Sequence, residues 1–201
     1  AAGGDPALCI FAGVGKTERE IEFALSQGIH AFNVESEPEL VRINRVAARR
    51  NTVAPVAVRV NPNVDAHTHA KVTTGTYENK FGIALEQVEG VYARASRLKN
   101  LHLRGLQMHI GSQLTSVKPF ELAVKKVAPL VKRLATRYGF EFFSLGGGLG
   151  IRYDQEEPPH PQEYGGKILD QLKGLDLTLI LAPGRVLGRD AGRPATRVLY
   201  T

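Results

Sequence analysis

The chain has 201 residues, a length suited to one domain, and its 43% hydrophobic and 23% charged content is that of a globular protein with a real core. The lone cysteine, Cys9, excludes an intramolecular disulfide framework and a cysteine-only metal site, and points to a reducing, cytoplasmic setting. The formal charge of +6 is spread over amphipathic segments, for example Lys125, Lys126, Lys132, Arg133 and Arg137; with no nucleic-acid-binding motif and no apolar run of the roughly 20 residues that cross a membrane, neither partner is expected.

Taken in order, apolar runs of strand character alternate with helical patterns. A strand is expected over 8–13. Thr17 with Glu20 forms a capping box, and Ile21, Ala24 and Leu25 hold one apolar face until Gly28 stops that helix. A second strand is expected over 31–35, followed by a second box from Ser36 and Glu39, with Pro38 in the first turn and Leu40, Ile43 and Ala47 facing inward. Strand 56–61 leads through a polar loop, containing Thr74, Gly75, Asn79 and Lys80, to a helix marked by Val88, Val91, Tyr92, Ala95 and Leu98. Strand 103–109 precedes a helix carrying Phe120, Val124, Val127, Val131 and Leu134, opened by Pro119, kinked at Pro129 and ended by Gly139. Strand 141–145, a weaker helix near 168–172 and strand 178–181 complete the series.

This βα repeat predicts a parallel sheet. A doubly wound sheet and a closed barrel both satisfy it, but the polar and glycine-rich content follows the strands, and the best phosphate-binding candidates follow the last two. Both features favour a (β/α)8 barrel. Six strands cannot close it, so an incomplete barrel is expected, with about two strands preceding the abrupt AAGGDP start.

Four segments carry candidate chemistry. Gly146, Gly147 and Gly148 follow a strand and can form a backbone anion nest, or merely a flexible turn. His109 and Ser112 lie in MHIGSQ at a strand end. A neutral imidazole can lie flat on an aromatic ring and a serine hydroxyl can donate to phosphate, although a lone histidine is often structural. Ala182, Pro183, Gly184 and Arg185 place a planar guanidinium, suited to phosphate or carboxylate, after the last strand. Arg59 sits inside an apolar strand, where an unpaired charge is costly, so an anion should face it. No HExxH, CxxC or nucleophile elbow is present.

In their order and spacing, FAGVGKTEREIEFAL, FNVESEPEL, VRVNPNVDAHTH, ENKFGI, MHIGSQL, LGGGLGI and PGR resemble the diaminopimelate decarboxylase family, of the alanine-racemase-like, barrel-type class of pyridoxal 5′-phosphate (PLP) enzymes. The resemblance spans essentially residues 1–201 and implies a PLP-binding barrel domain truncated at both ends. It implies that His109 stacks on the cofactor ring, Ser112 helps hold the phosphate, and Gly146, Gly147 and Gly148 wrap it. It further implies that Arg59 approaches the ring's phenolic oxygen and that Arg185 binds phosphate or the substrate's distal carboxylate. A small amino-acid substrate and a cytoplasmic homodimer go with it. The departures are equally specific. The family's YxxKAN-like Schiff-base lysine and the CxSxD-like cysteine of its second, β-rich domain are absent; Lys16, Lys80 and Cys9 are poor substitutes, and this chain alone is expected to be inactive. Ala182 stands where the family has Glu beside the ring nitrogen, and Ser144 where Asp is usual. The expected activity is decarboxylation of meso-diaminopimelate to L-lysine. The alternatives are another basic amino acid (ornithine, arginine or carboxynorspermidine) or a non-catalytic PLP-binding relative.

Overall fold

The computed structural model describes residues 3–64 and 81–189; the loop expected around Thr74, Gly75, Asn79 and Lys80 lies outside the described residues. The strands are β1 (Ile10–Phe11), β2 (Ala31–Val34), β3 (Ala54–Asn61), β4 (Ile83–Ala84), β5 (Leu101–Met108), β6 (Phe142–Gly146) and β7 (Thr178–Leu181). They form one sheet in the order β1-β2-β3-β5-β6-β7, with β4 added against β3. Every pairing is parallel. The helices are α1 (Glu18–Gln27), α2 (Glu37–Arg49), α3 (Leu85–Ala95), α4 (Lys118–Tyr138), α5 (Pro161–Gln171) and α6 (Gly184–Gly188). Ile10 and Ala12, at one edge of the sheet, line the same cleft as Ile180 and Ala182 at the other. The sheet is therefore curled into an incomplete barrel.

Several local expectations hold for their stated reasons. The Thr17–Glu20 box is reciprocal, with Thr17 N–H donating to Glu20 Oε2 at 2.8 Å and Glu20 N–H to Thr17 Oγ1 at 3.3 Å. Gly28 ends α1 in the left-handed region at φ 67°. α4 has Pro119 in its first turn and ends at Gly139 in the left-handed region at φ 68°, as expected; the kink expected at Pro129 does not interrupt it, and the helix runs from Lys118 to Tyr138.

Others need correction. Ser36 makes no side-chain cap to α2. Glu39 instead accepts the Glu35 N–H at 2.7 Å and pairs with the buried Lys16 ammonium at 2.9 Å. Leaving that ammonium unpaired would cost far more than a missing cap, so the ion pair wins the carboxylate. The strand expected over 8–13 shrinks to two residues. Leu8 closes a 3-10 turn whose N-cap is Asp5, and Gly13 turns away at φ 102°. α5 begins at Pro161 rather than near 168, with the His160 ring capping the Gln162 N–H; Gly165 and Gly166 inside it hide the helical signal. β4 was not expected, since two residues show no period.

The two faces of the sheet differ. On the outer face, Phe32, Leu106, Phe143 and Leu145 join Ile21, Leu40, Ile43, Phe120 and Val127 from the helices in one continuous apolar core. The fully buried Tyr92 of α3 accepts the Val58 N–H at 3.0 Å and donates to Gly105 O, satisfying the backbone beside the irregular β3–β5 register. On the inner face a small cluster of Ala31, Ala57 and Phe142 packs with Ile180. A Cβ at Gly105 would lie 2.3 Å from Phe142 O, so only glycine fits there.

Candidate functional site

Strand register builds the floor of the site. Arg59 of β3 lies opposite Gln107 of β5, Gln107 opposite Ser144 of β6, and Ser144 opposite Ile180 of β7. Residues in register on neighbouring strands project from the same face, so these four form one row across the barrel interior. Above the row opens a cleft of about 850 Å³, within the range of small-molecule sites. Its walls are the segments that follow β5, β6 and β7, at the C-terminal ends of the strands where barrels place their sites. Arg59, His109, Ser112, Gly146, Gly147, Gly148, Ala182, Gly184 and Arg185 all line it. Pro183 does not line the cleft and is the N-cap of α6.

The glycine turn is set by its neighbours. A Cβ on Gly146, Gly147 or Gly148 would lie 2.4, 2.3 or 2.2 Å from the carbonyl oxygens of Met108, Ala182 and Gly111, respectively. Gly146 and Gly148 also have φ of 71° and 115°. Ala182 N–H donates to Gly146 O at 2.9 Å and Leu114 N–H to Gly148 O at 2.9 Å, which ties all three strand ends together. The N–H groups of Gly148 and Leu149 have no protein acceptor among the described residues. With the Ser112 hydroxyl and the Arg185 guanidinium on the same cleft, they make a donor set suited to a phosphate.

His109 receives the Gly147 N–H on Nδ1 at 3.3 Å, so its own proton sits on Nε2. Burial, reinforced by the nearby Arg59 charge, holds its pKa below the usual imidazole value. A neutral ring able to lie flat against another ring is the result.

Arg59 finds its anion within the protein. Its Nη1 donates to Glu35 Oε1 at 2.9 Å and Oε2 at 3.2 Å, with side chains only 15% and 6% exposed. Glu35 ends the apolar run of β2 and is the sole carboxylate lining the cleft among the described residues. Asn33 Oδ1 and Gln107 Oε1 are buried on the cleft without a hydrogen-bond partner among the described residues. Ser144 Oγ accepts the Gly146 N–H at 3.4 Å, leaving its proton to donate. Phosphate donors at the mouth, a flat neutral imidazole and unmet acceptors on the floor fit a phosphorylated ring cofactor. Ala182 lines the cleft with a methyl and offers it no acid.

No lysine lines the cleft among the described residues. Lys16 is buried elsewhere, with Nζ donating to Gly13 O at 2.6 Å, Asn33 O at 2.8 Å and Glu39 Oε1 at 2.9 Å, so all three protons are used. Cys9 is exposed on a separate groove beside Phe23. Sequence reasoning gave no role to Glu35, Asn33 or Gln107, although each is a polar residue interrupting or ending an apolar strand and Gln107 opens the stretch that carries His109 and Ser112. It also overlooked Tyr153 and Arg189, whose guanidinium lies 4.6 Å from the Tyr153 ring centroid on the cleft rim.

Residues 1–188 match the family model described as "Pyridoxal-dependent decarboxylase, pyridoxal binding domain". The diaminopimelate decarboxylase of Pseudomonas aeruginosa is 51% identical over 201 residues, covering 100% of this chain and 48% of that protein. The diaminopimelate decarboxylase of Vibrio cholerae is 46% identical, again over 100% of this chain and 48% of that protein. Among solved structures, the diaminopimelate decarboxylase of Helicobacter pylori complexed with L-lysine superposes with a TM-score of 0.85 at 40% identity, covering 90% of this chain and 46% of that chain. The chain thus spans about half the length of the curated relatives it matches. Fold, cleft and family match agree, and the chain belongs to the pyridoxal-dependent decarboxylase family, as its pyridoxal-binding domain.

Proposed function

We propose that residues 1–201 are the PLP-binding barrel domain of an enzyme that decarboxylates meso-diaminopimelate to L-lysine. The observation that carries the reading is the convergence, in one cleft, of the Gly148 and Leu149 N–H groups, which have no protein acceptor among the described residues, with Ser112, Arg185 and a neutral His109. In this reading the Gly148 and Leu149 N–H groups and Ser112 hold the phosphate, on the turn that Gly146 and Gly147 shape while their own N–H groups go to Ser144 and His109, and His109 stacks on the ring. Arg59, oriented by Glu35, faces the phenolic oxygen. Arg185 binds either the phosphate or the substrate's distal carboxylate. Bound there, PLP supplies an electron sink for the pair left on Cα when CO2 departs. The choice of substrate rests on the relatives, which are named diaminopimelate decarboxylases, one of them holding L-lysine. A cytoplasmic homodimer is proposed with it; no helix among the described residues is long and apolar enough to cross a membrane.

A second reading, a PLP-binding relative without decarboxylase activity, is favoured by one observation. Position 182 carries no acid, and the one cleft carboxylate among the described residues is already committed to Arg59. The test is CO2 release and lysine formation by the full-length protein with saturating PLP, on meso-diaminopimelate, ornithine and arginine. The proposal expects the highest kcat/KM on meso-diaminopimelate. Preference for ornithine or arginine would refute the substrate, and PLP binding without turnover of any of the three would establish the second reading.

A further inference from the structure

The segment after β5 and the turn after β6 both supply proposed phosphate donors, and something must fix their spacing. Gln113, immediately after Ser112, adopts φ 61°. This is the left-handed region that residues with a Cβ seldom occupy. From there its side-chain amide pairs with the backbone of Ile151 at two points: Nε2 donates to Ile151 O at 2.6 Å, and Oε1 accepts the Ile151 N–H at 3.2 Å. The adjacent backbone continues the seam. Leu114 N–H donates to Gly148 O at 2.9 Å and Gly150 N–H to Leu114 O at 2.9 Å. Leu114 and Leu149 thereby form an isolated parallel bridge. This seam brackets Gly148 and Leu149, whose N–H groups have no protein acceptor among the described residues.

We propose that Gln113 is a positioning residue for the cofactor phosphate: its amide clamps residue 151 and so sets the distance between Ser112 and the N–H groups of Gly148 and Leu149. The inference rests on the PLP reading above. The chemistry demands this residue type. One donor and one acceptor, coplanar and at the end of a two-carbon stem, match the C=O and N–H of one backbone residue. Glutamate presents two acceptors, one of them repelled by Ile151 O; asparagine is one carbon short; leucine offers neither group. Gln113 does not touch the cofactor in this arrangement. It acts through the backbone it holds.

Its consequence is selective for the phosphate. In the full-length protein, Gln113→Glu should weaken PLP binding by about tenfold, the equivalent of one lost hydrogen bond at the phosphate. Pyridoxal, which has no phosphate, should change by less than about twofold. Gln113→Gly relieves the left-handed backbone while removing the clamp, so it should show the same selective loss even if Gln113→Glu fails to fold. The experiment is a paired titration of cofactor-free wild type, Gln113→Glu and Gln113→Gly with PLP and with pyridoxal. Equal losses for both ligands would mean that Gln113 is merely structural, and no loss for either would mean that the clamp does not position the phosphate; each outcome overturns the inference. A wild-type protein that binds PLP no more tightly than pyridoxal would instead bring down the underlying PLP reading.

Discussion

The two faces of the sheet are built from the same strands to opposite ends. The outward residues of β2, β3, β5 and β6 sink into a continuous apolar core against the helices, with Phe32, Leu106, Phe143 and Leu145 fully buried. The inward residues make only the small Ala31, Ala57 and Phe142 cluster, and above it stands the polar row of Arg59, Gln107 and Ser144. Asn33 Oδ1 and Gln107 Oε1 have no hydrogen-bond partner there among the described residues, an arrangement that a surface selected only for stability would not keep. Apolar packing is therefore concentrated on the outer face, and the polar groups that the proposed function uses are on the inner.

That division can be broken by substitution. The largest effect should come from the outer face: Phe143→Ala is expected to cost about 3–5 kcal/mol of folding stability, measured by denaturant unfolding of the full-length protein. If the variant that still folds also loses most of its PLP affinity, the faces are not separable. On the inner face, Ala182→Glu should leave stability nearly unchanged and raise kcat on meso-diaminopimelate. A carboxylate there can hold a proton at the ring nitrogen through one charge-assisted hydrogen bond of roughly 1.5–3 kcal/mol, or about one to two orders of magnitude in rate. An unchanged or lower rate would show that Ala182 is no defect in the site.

A smaller effect concerns pH. An unfolded histidine takes up its proton near about pH 6.5, whereas burial and Arg59 keep folded His109 neutral to a lower pH. Between those two values the unfolded chain binds more protons, so stability falls as pH drops through this window and is whole above it. The His109 ring resonances, followed by NMR titration, should move below the usual imidazole range; titration at or above it would contradict the neutral, Nδ1-accepting ring.

The outer face was the more legible of the two. Apolar periodicity in α1, α2, α3 and α4 and the nearly unbroken runs of β2 and β3 report burial directly, and burial is what builds that layer. The capping box of Ser36 failed because a local motif competed with a tertiary partner, the Lys16 ammonium 20 residues before Ser36. In the cleft, the residues legible from sequence were those whose backbone or position is unusual, such as the Gly146 turn and Arg59 within an apolar strand. The Glu35 partner of Arg59 and the Gln113 clamp on Ile151 depend on which strands become neighbours. Neither a glutamate ending a strand nor a glutamine in a loop carries a periodic signal.

The central claim is that the cleft holds PLP with its phosphate on the glycine turn. A crystal structure of the full-length protein with PLP tests it most directly. The account predicts phosphate oxygens within hydrogen-bond distance of the Gly148 and Leu149 N–H groups, with the pyridine ring lying against His109. A phosphate seated away from that turn, or a ring out of contact with His109, would contradict it.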